Sequence, residues 1–286
     1  MSPSPVVANW ELTLRLHRRR EQLGVSVKDI ADRLGFTRNY WSAIENERKI
    51  IPEKTLRSIF KILEFGAEDR KQLLQLREVA ARENGWWAEY SALLDGAVQR
   101  FYGLEHGAHS VRNFETLLIP GLLQTPEYAR AVMAADATVR QVEIEQRVDI
   151  RTRRQERLRG ADPLDLKVII SEAALRQQVG GPVVLKGQLE HLLALIEDYP
   201  DNLDVRVIPF TSASCTLFGS GTVMLLDFES PRLPPVAWRE IVSNWGIISV
   251  ASQIRDITTA FNEALTRTLD RRRTMEIINK TRKELR

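Results

Sequence analysis

Cysteine is nearly absent from the chain. Cys215 is the only one in 286 residues, so no internal disulfide can form, and this fits a reducing, cytoplasmic setting. Within Thr211-Ser-Ala-Ser-Cys215 the thiol reads as one more small residue. Long apolar runs are missing too: no stretch reaches the ~18 residues of a membrane span. Met1-Ser-Pro-Ser-Pro5 lacks the basic segment and apolar core of a secretory signal. Histidine is scarce, with four in the chain. His106 and His109 stand at i, i+3, yet no acid or cysteine completes a metal-ligand spacing around them. There is no glycine-rich phosphate loop and no nucleophile elbow, and Gly219-Ser-Gly221 suits a hairpin loop. These absences predict a protein that is not an enzyme and that needs no cofactor and no metal.

What is present suffices for two cores. Hydrophobic residues make up 43% of the chain, an ordinary share for a globular protein. By a prior of ~150 residues per domain, the length predicts two domains. Charge divides them unevenly. Residues 1–83 hold 16 Lys and Arg against 12 Asp and Glu, whereas the remainder holds 25 against 26. The basic excess lies wholly at the N-terminal end, as a nucleic-acid-binding module would place it.

Residues 26–51 carry the strongest local signal. Ser26 is a good helix N-cap. Ile30, Ala31 and Leu34 make one apolar stripe, and Gly35 stands where a helix C-terminus prefers glycine. Thr37 caps a second helix that turns Trp41 and Ile44 inward. That leaves Arg38, Asn39, Ser42 and Ala43 on its outer face, a set suited to base edges in a major groove. Lys28, Arg48 and Lys49 are candidate phosphate contacts beside the capping residues Ser26 and Thr37. His17-Arg-Arg-Arg20, on a preceding helix over 10–23, reads as largely outward, either a solvated face or a phosphate contact. Helices over 53–64 and 67–83 complete a five-helix domain, with Leu56, Ile59, Phe60 and Leu63, then Leu73, Leu74, Leu76 and Val79, inward.

Ser26, Ala31, Leu34, Gly35, Thr37, Ile44, Glu45 and Asn46 resemble the lambda-repressor/Cro type of helix-turn-helix, the XRE family. The resemblance implies a five-helix fold that binds double-stranded operator DNA as a homodimer. Two positions depart from it: Val27 stands where the family usually has glutamine, and Glu47 where it usually has glycine. An acid near DNA keeps a second reading in play, a protein-interaction adaptor whose helix-turn-helix does not read DNA.

From residue 84 the pattern changes to a mixed α+β domain. The aromatic residues Trp86, Trp87 and Tyr90 form either a packed wedge between domains or a surface for a ligand or partner. Residues 91–102 read as a helix, with Leu93, Leu94, Val98 and Phe101 on one side. A charged helix over 143–159 interleaves Arg147, Arg151, Arg153, Arg154 and Arg157 with Glu143, Glu145, Asp149 and Glu156, which predicts pairing within the helix. Strands are predicted over 164–170, 203–210, 221–228 and 236–242. Helices are predicted from Thr125, from Ser171, and over 182–199, 251–269 and 271–286. The fold class expected for the whole chain is mainly α: a five-helix DNA-binding domain followed by an α+β domain.

Pro120-Gly-Leu-Leu-Gln-Thr125 with Glu127-Tyr-Ala-Arg130 is similar to a signature of actinobacterial, antitoxin-like regulators of the WhiJ-like group. Gly85-Trp-Trp-Ala-Glu-Tyr90, Glu172-Ala-Ala-Leu175 with Gly180-Gly-Pro182, and Gln188-Leu-Glu-His-Leu192 with Val207-Ile-Pro-Phe210 match it in the same order. The resemblance implies a regulator of transcription with a long C-terminal domain and a small partner protein encoded nearby.

Overall fold

The computed structural model describes residues 4–82, 85–241 and 244–285. The predicted helix end at Glu83, domain start at Asn84, strand end at Val242 and final helix end at Arg286 lie outside the described residues. The chain forms two compact units, residues 1–91 and 92–286.

The first unit is helical: α1 (Pro5–Gln22), α2 (Val27–Leu34), α3 (Arg38–Glu45), α4 (Glu53–Ile62) and α5 (Ala67–Ala80). Its α1 begins earlier than apolar periodicity alone predicts, because Ser4 caps it and Pro5 occupies the first turn. Leu12, Leu16, Ile30, Trp41, Ile44, Leu56, Ile59, Phe60, Leu63 and Leu73 form one core. Leu74, Leu76 and Val79 are only half-buried.

The basic run on α1 corrects the outward expectation. Arg20 is buried and donates through Nε to Glu45 of α3 at 2.6 Å. Arg19 Nε donates to the Leu63 carbonyl at the end of α4, at 2.9 Å. Both guanidiniums satisfy groups of neighbouring helices, which a solvated or phosphate-facing run would leave unmet.

The second unit is built on a mixed six-stranded sheet. In chain order it contains α6 (Gly96–His106), β1 (Ser110–Glu115), α7 (Pro126–Ala135), α8 (Ile144–Gln155), β2 (Asp165–Ser171), α9 (Glu172–Arg176), α10 (Pro182–Asp198), β3 (Leu203–Ile208), β4 (Thr222–Asp227), β5 (Val236–Ile241), β6 (Asn244–Ile248), α11 (Ala251–Leu265) and α12 (Arg271–Glu284). The strands lie in the order β3-β2-β1-β4-β5-β6. Pairing is parallel from β3 to β1 and antiparallel from β1 to β6. Side chains alternate across a strand. Phe114, Val223, Leu225 and Ala237 therefore share one face, packed with Ile254, Phe261 and Ala264 of α11. Asn113, Glu115, Thr222, Met224, Trp238 and Glu240 share the other.

Four strands fall where periodicity predicts them; β1 and β6 were not predicted. β1 carries Arg112, Asn113 and Glu115 among two apolar residues, so it shows no clean alternation. β6 carries Gly246 at its centre, and glycine weakens a strand pattern. The helix predicted over 91–102 begins instead at Gly96, because the Asp95 carboxylate caps it by accepting from Val98 N at 2.9 Å.

The arginine-rich helix also corrects its expectation. Arg147 pairs within the helix, with Glu143 at 2.9 Å. Arg154 instead reaches Glu105 of α6 through two 2.7 Å hydrogen bonds. Arg157 donates to the carbonyls of Ala108 and Asp162. Arg151 donates to Gln124 at 2.6 Å. Because α8 packs beside the turn at Gly121–Leu123 and against α7, these side chains face protein rather than water.

Candidate nucleic-acid interface

The hairpin of α2 and α3 is fixed by local chemistry. Ser26 forms a capping box: its hydroxyl accepts from Asp29 N at 3.1 Å, and the Asp29 carboxylate accepts from Ser26 N at 3.0 Å. The Ser26 hydroxyl, donating to the Asp29 carboxylate at 2.6 Å, and then the Ser26 N–H hold the Asp29 carboxyl below the usual aspartate range. Gly35 then turns the chain with φ of 69°, a left-handed conformation that suits glycine. Phe36 N returns to the Ala31 carbonyl at 2.9 Å, closing α2. Thr37 starts α3 by accepting from Tyr40 N at 3.2 Å.

Tertiary contacts then fix which side of α3 faces out. Trp41 and Ile44 are buried in the helical core. Glu45 turns inward to Arg20, and His17 Nδ1 lies 3.6 Å from the same carboxylate. Arg38, Asn39 and Ser42 remain exposed and Ala43 is half-buried. Asn46 folds back on the helix, donating to the Ser42 carbonyl at 2.7 Å and its hydroxyl at 3.1 Å. The Ser42 hydroxyl keeps its own proton to donate.

The position where related hairpins carry glycine has a backbone explanation. Glu47 sits at φ of 61°, in the left-handed region, where a Cβ is strained. The turn lets the backbone N–H groups of Arg48 and Lys49 both reach the Ala43 carbonyl. Both of these cations are exposed, as is Lys28 at the start of α2. Lys49 Nζ lies 5.0 Å from the centre of the Tyr40 ring, and Tyr40 in turn contacts Phe36 at 4.6 Å between centroids. The basic turn after α3 is thereby braced on α3 itself.

The sequence reading therefore named the exposed residues of this face and missed its supports. Arg20, Glu45 and Asn46 orient α3 from behind. Ser26 and Thr37 are committed to caps. Glu45 could have been found from helical spacing, since it follows Trp41 at i+4 on the inward side.

Trp86, Trp87 and Tyr90 are brought together on one 3-10 turn, Trp86–Tyr90, in the first compact unit. Trp87 is buried and the other two are half-buried. Their rings meet edge to face, at 5.9 and 6.1 Å between centroids. Gly85 is required here, because a Cβ would lie 2.3 Å from the Trp87 ring.

The hairpin, with its polar outward helix, defines the class: a helix-turn-helix protein, the fold of a DNA-binding regulator. Residues 14–79 match the model of a helix-turn-helix domain. Residues 98–280 match a domain of unknown function, DUF5753, and the chain belongs to that family. No curated protein and no solved structure matches the chain. Among the described residues, no helix is long and apolar enough to cross a membrane.

Proposed function

We propose that the chain is a sequence-specific transcription regulator that inserts α3 into the major groove of an operator. The observation that carries this reading is the outward Arg38, Asn39 and Ser42 on a helix anchored by Trp41, Ile44 and Glu45. Arg38 and Asn39 open the recognition helix, where side chains reach base edges. Lys28, Arg48 and Lys49 flank them and would meet phosphates, which position the protein without reading sequence. One such hairpin spans few base pairs, so the reading includes a homodimer on half-sites about 34 Å apart.

The second unit is assigned the response: it engages a small protein partner, as in the antitoxin-like, WhiJ-like regulators, or a small ligand, and thereby biases operator binding. Such a molecule must distinguish DNA-competent from incompetent states to change transcription. The test is selection of a binding site from random DNA, followed by titration of the wild type and Arg38→Ala. A lost bidentate base contact is worth about 1–3 kcal/mol. Arg38→Ala should therefore weaken the selected site about 10- to 100-fold and leave random DNA nearly unchanged. Equal losses on both would reduce Arg38 to a phosphate contact and overturn the groove assignment.

A further inference from the structure

We propose that the second unit encloses a binding site for a small molecule with a carboxylate and a flat apolar body, the carboxylate received by Arg151. This deepens the effector reading above and rests on it only for the effect on DNA; the site itself rests on geometry. A cavity of about 540 Å³ lies over the sheet face formed by β1, β4 and β5, walled by α6, α8 and the loop around Gly121. Its volume falls within the range of small-molecule pockets. Its sheet-side floor includes Glu115, Met224 and Trp238. Phe101 stacks on Trp238 at 4.4 Å between centroids and an interplanar angle of 19°, a flat aromatic wall.

Three arginines line the cavity, and two are already neutralised. Arg154 has Glu105, and Arg147 has Glu143. Arg151 makes no ion pair among the described residues; its side chain donates to the neutral Gln124. Glu115 and Glu240 are its acidic neighbours, and neither forms an ion pair with it. Burial, with the like charge of Arg154, pulls the Arg151 pKa below the usual arginine value. A guanidinium half-buried without an ion pair is costly, and a ligand carboxylate would remove that cost through paired N–H···O bonds.

The loop explains how Arg151 is aimed. Gln124 is buried, and its Nε2 donates to the Ile119 carbonyl at 2.6 Å. Gln155 Nε2 clamps the Gln124 carbonyl at 2.7 Å and the Gly121 carbonyl at 3.1 Å. From α10, Gln188 accepts from Thr125 N at 2.7 Å and donates to the Leu123 carbonyl at 2.8 Å. The turn and both its glutamine braces therefore hold Arg151, without an ion pair among the described residues, on the cavity that Phe101 and Trp238 also line. The groove between α10 and α12, about 770 Å³, offers no equivalent. There Arg272 pairs with Glu276 and Arg282 with Glu190, while Arg271 is bonded to backbone carbonyls.

The test uses the full chain and three probes sharing one ring: indole-3-acetate, indole-3-acetamide and tryptamine. Octanoate and octanamide repeat the comparison with an aliphatic body. Calorimetric titration should show each carboxylate binding at least about tenfold tighter than its amide, a difference of ~1.4 kcal/mol. Arg151→Met should abolish that preference, and Arg151→Lys should retain part of it. Circular dichroism of both variants checks that the sheet persists.

Carboxylate and amide of equal affinity would overturn the proposal. So would an unchanged carboxylate affinity in a folded Arg151→Met protein, or no carboxylate binding tighter than about 10 mM. Tryptamine as the preferred probe would overturn it in favour of cation binding through Glu115 and Glu240. Operator affinity measured with saturating indole-3-acetate then separates the two readings: binding without any change in operator affinity keeps the site and rejects the effector role.

Discussion

The two units handle charge in opposite ways. In the first, Arg38, Arg48 and Lys49 point outward from α3 and the turn after it, and the inward pair Arg20–Glu45 orients that face. In the second, Glu105, Arg154, Arg151 and Glu115 are enclosed between α6, α8 and the sheet. An outward array suits a partner as large as a DNA duplex, which supplies its own charge to the surface. An enclosed array must be compensated within the fold or by something small enough to enter it. The difference teaches where each unit is vulnerable: the first to loss of surface contacts, the second to a single unmatched internal charge.

Removing one carboxylate from each pair tests that contrast most severely. Glu105→Gln leaves the Arg154 guanidinium in place, buried and without a counter-charge; the two side chains are only 9% and 2% exposed. Breaking such a pair costs about 3–5 kcal/mol. The Phe101 and Tyr102 rings, 5.7 and 4.7 Å from the guanidinium, offset a part of it. Glu45→Gln in the first unit should cost about 2 kcal/mol, because Arg20 keeps the Val25 carbonyl as a partner. Urea unfolding of both variants measures the difference. Equal costs would show that the two pairs are equivalent and break the comparison.

A smaller effect follows from pH. Burial pushes the Glu115 carboxyl up from 4.5 to about 7, against the lowering effect of Thr222 and Asn113 hydrogen bonds. Glu240 raises it further and Arg151 opposes, and Tyr128 of α7 is also coupled to it. A carboxyl with a raised folded pKa contributes stability that is complete below pH 4.5 and is lost as pH rises through about 7. The loss amounts to about 3 kcal/mol at most. Glu115→Gln should flatten the decline in stability between these pH values. An unchanged slope in the variant would place the pH dependence elsewhere.

The same contrast decides what could be read from sequence. The capped helices of the first unit are local: Ser26, Gly35 and Thr37 act within three or four residues, so their spacing is visible in the chain. The outward position of Arg38, Asn39 and Ser42 was legible for the same reason. Glu105 and Arg154 lie 49 residues apart, and Asn113 of β1 bonds across to Val223 of β4, 110 residues on. No spacing rule brings such groups together. Glu115 was invisible because its strand, with Val111 and Phe114 as its two apolar residues, shows no clean alternation and turns polar groups toward a polar cavity. The loop at Pro120–Thr125 was conspicuous as a motif, yet its part in bracing Arg151 depends on partners from α8 and α10.

The smallest expected effect concerns two acids that share one backbone conformation. Glu47 and Glu64 have φ of 61° and 50°. A left-handed L-residue costs about 1–2 kcal/mol, and glycine there gives back about 0.5–1 kcal/mol through the freedom of the unfolded chain. Each substitution by glycine should therefore stabilise the first unit by under about 1 kcal/mol, a rise of a few degrees in Tm at most. Only Glu47 adjoins Arg48, Lys49 and the end of α3. Glu47→Gly should also strengthen binding to random DNA about two- to threefold at low salt, since it removes an acid from the turn proposed to meet phosphates. Glu64→Gly should leave DNA affinity unchanged while giving the same thermal gain. If both variants alter DNA binding alike, the turn after α3 has no special relation to the duplex. If Glu47→Gly weakens binding, its carboxylate supports the interface and the glycine of related hairpins is not what this one needs.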